Sequence, residues 1–265
     1  MSSSDAQAGS KASTSIWSRL GSPLLVGVAA PLIVAAIIAV VTFLMRPPDP
    51  VRVNIGLIVD ISGQMDKRFG DSTRFDAAIA NLIDFVGPRD TDNLGLWTSG
   101  GACGGAGSRE LVPIGQGNSD EIQAALRSLE PMGPANLADA VIEATGTFGD
   151  LERFPPEIPK RVVLVTAGTD TCDPDYVEAI EERLGEIGQD VKIKLHFFTL
   201  QISQRLRQQL RDLQRSLPDQ VDVDFAETPA EFEKDVEDFE NSLPDGESAS
   251  TDGPTVGPTG PTSTG

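Results

Sequence analysis

Between residues 51 and 243, apolar positions recur with two spacings, one expected of buried strands and the other of helices packed on a sheet. The runs VRVNIGLIV (51–59), NLGLWTS (93–99), RVVLVTAG (161–168) and VKIKLHFFTLQ (191–201) are short and apolar, which predicts buried strands. RELVPI (109–114) predicts a short strand that Pro113 confines to an edge, because proline cannot donate to a ladder. QVDVDFAE alternates as a further strand. Helices are predicted over 72–86, where Phe75, Ile79, Leu82 and Val86 share a face, and over 119–130, with Ile122, Ala125, Leu126 and Leu129. Others follow over 136–148 and 203–217. PAEFEKDVEDFENSL places Phe232, Val236, Phe239 and Leu243 on one stripe. Asp173 and Pro174 supply a cap and a first-turn proline for one more helix, DYVEAIEERLGEIG. Such alternation predicts an α/β fold: a doubly wound, mostly parallel six-stranded sheet with helices on both faces. Ligands of these sheets sit beyond the carboxyl ends of the strands, where Asp60, Ser62 and the loop after VVLVT fall.

The flanks read differently. Residues 24–45, LLVGVAAPLIVAAIIAVVTFLM, carry no charge and as a helix would run about 33 Å, enough for a bilayer core. A buried core helix and a cleaved signal peptide are the alternatives. The run is long for a signal h-region, and RPPDP rather than a small-residue cleavage pattern follows it. The expectation is a single uncleaved transmembrane helix at 24–45, after a tail at 1–23 and before a proline-stiffened linker at 46–51. Residues 52–243 form the folded domain, and 244–265, rich in Pro, Gly, Ser and Thr, a disordered tail. Lys11 and Arg19 before the span nearly balance Arg46 and Arg52 after it, so positive charge does not orient it. The short Ser-rich N-terminus cannot build a core, and both cysteines lie beyond the span. The expectation is therefore a cell-membrane protein with its N-terminus cytoplasmic and its C-terminal domain extracytoplasmic.

Charge narrows the partners. The formal charge is −19, of which residues 1–45 contribute +1, so the remainder holds −20. Bulk attraction to nucleic acid or anionic lipid is excluded for such a domain. Within it, SQRLRQQLRDLQRSL gathers Arg205, Arg207, Arg211 and Arg215, a candidate basic face that is otherwise an ordinary solvated helix surface. The two cysteines, Cys103 in SGGACGGAGS and Cys172 beyond a strand end, predict a disulfide across one rim of the sheet. GGACGGAG lacks the context of a dinucleotide loop, because it leads into a strand instead of opening a helix.

Three segments carry a family resemblance. VNIGLIVDISGQM with its following Arg-Phe-Asp-Ala helix, LEPMGPANLADAV, and RVVLVTAGTDTCD resemble, in order, the three loop segments of von Willebrand factor type A domains. TPAEFEKDVEDF is similar to the closing helix of that family, and the style is that of bacterial exported, membrane-anchored members. The resemblance spans about residues 52–243. It implies a rim that holds a divalent cation through Asp-x-Ser-x-Ser, a Thr and an Asp, and that completes the ion's shell with a partner's carboxylate. Asp60 and Ser62 match that pattern, but Gln64, Ala135 and Ala167 stand at the other three positions. A small hard ion wants about six oxygens, so the resemblance implies a degenerate site with no metal and no other cofactor. Asp170 or Asp173 is the candidate replacement carboxylate, although Asp173 also reads as a helix cap.

No catalytic set emerges around the single histidine, His196, so the chain is expected not to be an enzyme. The leading expectation is an exported domain that binds an unidentified protein, without metal, through a rim of Asp60, Ser62, Gln64, Asn136, Asp170 and Asp173. The alternatives are a scaffold or spacer in an envelope complex, and a small-ligand receptor or enzyme using the same rim.

Overall fold

The computed structural model describes residues 52–104, 107–187 and 191–244. The expected tail at 1–23, span at 24–45 and linker at 46–51 lie outside the described residues, as does the tail beyond Pro244. Among the described residues, no helix is long and apolar enough to cross a membrane.

Strand β1 (Asn54–Asp60) is buried along its whole length, which fits its uninterrupted apolar run. A small hairpin, β2 (Arg68–Phe69) and β3 (Ser72–Thr73), leads into α1 (Arg74–Val86). Two-residue strands leave no periodicity to read, which is why the hairpin is invisible in the sequence pattern. Then come β4 (Asn93–Ser99), β5 (Ser108–Gly115), α2 (Ser119–Arg127), α3 (Leu137–Thr147) and β6 (Lys160–Thr166). The chain closes with α4 (Tyr176–Ile187), β7 (Ile193–Leu200), α5 (Gln204–Ser216), β8 (Val221–Ala226) and α6 (Pro229–Ser242).

The six main strands form one sheet in the order β5-β4-β1-β6-β7-β8, parallel except for β5. Pro113 does lie on an edge strand, and β6 is an interior one, as the pattern predicts. One face is covered by α1, α2 and α6, whose Phe75, Leu82, Phe85, Ile122, Leu126, Phe232, Val236 and Phe239 join its core. The other face is covered by α3, α4 and α5 through Leu137, Val141, Ile180, Leu184, Leu206, Leu210 and Leu213. Helix starts are fixed locally. Thr73 with Asp76, and Thr228 with Glu231, form reciprocal capping boxes, and Ser203 caps α5.

The strand order reverses at β1, which pairs with β4 on one side and β6 on the other. The crevice that a doubly wound sheet opens at such a point lies beyond Asp60 and Thr166.

Candidate functional site

The rim at this crevice is built from three loops. The first leaves β1 at Asp60, whose carboxylate accepts the Ser62 backbone N–H at 2.8 Å and the Thr166 hydroxyl at 2.7 Å. Asp60 is fully buried, and burial raises its pKa against the opposing hydrogen bonds from Ser62, Thr166 and Ala167. Ser62 is buried too.

Gln64 does not fold back toward Asp60. Its side-chain amide reaches over the third loop and donates to the Thr169 carbonyl at 2.9 Å. It passes so close to Gly168 that a Cβ there would stand 2.0 Å from Gln64 Oε1. The residue after Ala167 is therefore one that leaves room for the amide, and the amide ties the first loop to the third.

The second loop reaches the rim at Gly133, where a Cβ would fall 2.6 Å from the Gly101 carbonyl oxygen, so the two backbones meet there without side chains. Gly133 holds φ at 66°, a conformation that glycine adopts without strain. Ala135 is fully buried and exchanges backbone bonds with the third loop: its N–H donates to the Thr171 hydroxyl at 2.8 Å, and its carbonyl accepts from Thr171 and Cys172. The Asn136 side chain donates to the Gly104 carbonyl and to Asp139, each at 2.9 Å.

The third loop turns around Asp170. One carboxylate oxygen accepts the N–H groups of Cys172 at 2.7 Å and Asp173 at 2.9 Å. The other accepts the Ala138 N–H in the first turn of α3 at 3.0 Å. Asp173 was expected to cap α4 with Pro174 in its first turn; the helix instead begins at Tyr176, and Asp173 closes the turn ahead of it by accepting the Asp175 N–H at 2.9 Å. Below them, Tyr176 is buried with its hydroxyl unpaired, and its pKa is raised by burial and by the nearby Asp170 and Asp60.

The disulfide is present. Cys103 and Cys172 are bonded, with Cα atoms 5.3 Å apart, and fasten the glycine-rich β4–β5 loop to the third loop. Another expectation changes. Asp60, Ser62, Asn136 and Asp170 were expected at a protein-binding surface, but each is at most 3% exposed and spends its polar atoms inside the rim. Of the six residues named for that surface, only Gln64 and Asp173 are not buried, and each is partly covered. What the rim presents outward is Gly63, Asp66, Lys67, Met132, Thr169 and Asp175. Met132, at 56% exposure, is the largest apolar group there, and the sequence pattern gave no reason to single it out.

At about 100° per residue, Arg205 lies about 160° round the helix from Arg207, while Arg207, Arg211 and Arg215 share a stripe. Arg207 pairs with Glu227 and lies with Arg211 over the Phe225 ring, and Arg215 pairs with Asp212. Arg205, Arg211 and Arg215 are exposed, and Arg207 is half-buried at the β8 edge. A further contact absent from the sequence reading is the buried Arg74, whose guanidinium reaches the backbone carbonyls of Gln64 and Gln201.

The donor set does not fit a hard divalent cation. Ala135 and Ala167 bring no side-chain oxygen, the Gln64 amide is turned to Thr169, and the Asp170 oxygens face backbone N–H groups. Among the described residues, no group of three or more His, Cys, Asp or Glu is placed to hold a metal. His196 lies elsewhere, buried under α6 between Phe198 and Phe239, with Nε2 2.7 Å from Asp224.

Comparison with known proteins agrees with the fold. Residues 55–169 match the family described as von Willebrand factor type A domain. No curated protein matches the chain. Among solved structures, the pilus adhesin SpaC from Lactobacillus rhamnosus GG is similar at 17% identity and TM-score 0.59, over 72% of this chain and 30% of that one. A von Willebrand factor type A protein from Catenulispora acidiphila follows at 15% and 0.56, over 72% and 42%. An aerotolerance-related membrane protein from Bacteroides fragilis NCTC 9343 is similar at 14% and 0.54, over 72% of this chain and all of that one. The chain spans less than half the length of the first two.

Proposed function

We propose that this chain, whose residues 55–169 match the von Willebrand factor type A domain family, is a membrane-anchored, extracytoplasmic module that binds a protein through its rim without a bound cation. The Gln64 strut supports this reading most directly. Where family members present a cation ligand, this chain places an amide that locks the first loop onto the Thr169 carbonyl. The likeness to an adhesin supports binding as the activity, and the Cys103–Cys172 bond supports an oxidising compartment. With one histidine, held by Asp224 under α6, the rim lacks a general base of that type, and the proposal assigns it no catalysis. The contact surface is the exposed set around Met132, Asp66, Lys67 and Asp175.

A photo-crosslinking amino acid placed at Met132 in the full chain, in its native membrane, tests this. The expected result is a discrete protein adduct that survives excess EDTA and is absent when the crosslinker replaces the exposed Asp90, in the loop ahead of β4 at the far end of the sheet. An adduct that EDTA abolishes would overturn the metal-free reading. Equal labelling at both positions would overturn the rim as the surface.

A further inference from the structure

We propose that the foot of the sheet, at the end opposite the rim, carries a cleft that binds a phosphate group. The N-terminal ends of β6 and β7 and the turn between α5 and β8 enclose about 540 Å³, lined by Arg161, Lys192, Lys194, Leu217, Asp219 and Gln220 among others. Three cations on one cleft invert the local sign in a chain of formal charge −19.

The register makes the arrangement specific. Arg161 of β6 stands directly opposite Lys194 of β7. Like charges facing each other across a ladder repel unless an anion sits with them. Asp222 meets part of this need: its carboxylate is 2.6 Å from Lys194 Nζ. Asp222 also acts on Arg161, raising its pKa against the effect of burial, so one carboxylate serves two cations, and Lys192 adds a third that forms no ion pair among the described residues. Arg161 donates only to the Lys160 backbone carbonyl, at 3.2 Å. Lys192 is exposed and holds φ at 50°, in the left-handed region that a lysine rarely adopts. Behind them Lys160 is fully buried, its ammonium donating to the Pro155 carbonyl at 2.8 Å and the Ile158 carbonyl at 3.3 Å. Burial lowers the pKa of both Lys160 and Arg161, and Lys192 lowers that of Lys160 further, against Glu157. Asp219 is the acid on the lining itself.

Cations in excess of the carboxylates beside them, one a planar guanidinium and the others ammonium groups, suit a phosphate group. A diester headgroup brings one negative charge and a monoester about −1.5 to −2 at neutral pH, and either is held by such a fork and point charges together. The phosphate has two possible sources, a soluble phosphorylated molecule or an anionic lipid headgroup. The lipid source rests on the membrane reading above, since the chain enters β1 at this same end of the sheet. The soluble source does not, and neither depends on the rim.

The test uses the full chain in neutral detergent, titrated calorimetrically with inorganic phosphate, dihexanoyl-phosphatidylglycerol and dihexanoyl-phosphatidylcholine. Saturable binding is expected for phosphate or phosphatidylglycerol, and none for phosphatidylcholine. Lys192→Gly should weaken it about tenfold, the loss of one charge-assisted contact. That variant relieves the left-handed backbone, so its melting temperature should not fall and misfolding cannot mimic the loss. Arg161→Gln should weaken binding similarly, and Lys234→Gln, on α6, should leave it unchanged. Phosphatidylglycerol binding tenfold tighter than phosphate assigns a headgroup; comparable affinities assign a soluble phosphate. The proposal is overturned if neither anion binds saturably, if phosphatidylcholine binds as well as phosphatidylglycerol, or if Lys192→Gly binds as the parent does.

Discussion

Gln64 and Gly168 are fitted to one another: the amide of the first crosses where a side chain on the second would begin, and it bonds the Thr169 carbonyl beyond. The rim has no side-chain oxygen at Ala135 or Ala167 and is held by this bridge, by the Asp170 turn and by a disulfide.

The fit predicts non-additivity. Gly168→Ala should cost about 1–2 kcal/mol, because the amide must leave its carbonyl to make room. Gln64→Ala should cost about 1 kcal/mol by losing the same bond. The double variant should cost little more than Gln64→Ala alone. Urea unfolding of the four proteins checks this, and simple addition of the two single costs would refute the fit.

Removing the disulfide should matter more. Cys103 and Cys172 are 69 residues apart, and freeing a loop of that length should cost about 4 kcal/mol by the chain-entropy account. Cys103→Ser with Cys172→Ser should lower the melting temperature accordingly, read by circular dichroism. A reduced chain that melts with the oxidised one would contradict it.

At the foot of the sheet, Asp92 is 1% exposed and bridges Arg52 at 3.3 Å and Arg89 at 3.2 Å, while Arg89 also meets Glu240 at 2.8 Å. Asp92→Ala removes the buried carboxylate shared by Arg52 and Arg89, leaves Arg89 only Glu240, and should destabilise by about 2–3 kcal/mol. Glu240→Ala, at the exposed end of the relay, should cost under about 1 kcal/mol. Chemical denaturation of both variants measures the asymmetry, and equal costs would refute it.

Asp235 gives a pH dependence. Burial first, and then Asp224, push its carboxyl up to about 6, with Lys234 opposing. Its folded pKa thus exceeds the value of 3.8 in the unfolded chain. Between these values the folded state holds the proton that the unfolded state has lost, so this group's contribution falls as pH rises through that window. Asp235→Asn should therefore stabilise at pH 7 and make no difference below about pH 4. The gain is modest, below about 1 kcal/mol, because the site is half-exposed and screened. Melting temperatures of parent and variant across pH 4–8 should converge at the acid end; parallel curves would refute the assignment.

Much of this fold was legible because it rests on periodicity. The stripe of Phe232, Val236 and Phe239 marks α6, and the fully buried NIGLIVD marks a central strand. The pairing of Cys103 with Cys172 was legible from compartment logic and loop placement. Burial within the rim was not. Asp60, Ser62, Asn136 and Asp170 are polar residues in loops, which a linear reading places at the surface. Their backbone partners bring them inside, and those partners come from segments far apart in the chain. The course of the Gln64 side chain depends on Thr169, which is 105 residues away. Lys192 showed nothing by type, and only its backbone angle and its neighbours across β6 and β7 set it apart.

The placement of β1 also has a mechanical consequence. The chain enters the domain at the foot of this strand, and the rim opens at its head, so a pull between Arg52 and a partner on the rim runs along its axis. β1 is held on both sides by parallel ladders, over seven register pairs with β4 and six with β6. Load in that direction shears both ladders at once and cannot peel them one bond at a time. A tether attached here would keep its grip under tension, a property suited to a module that holds two bodies together.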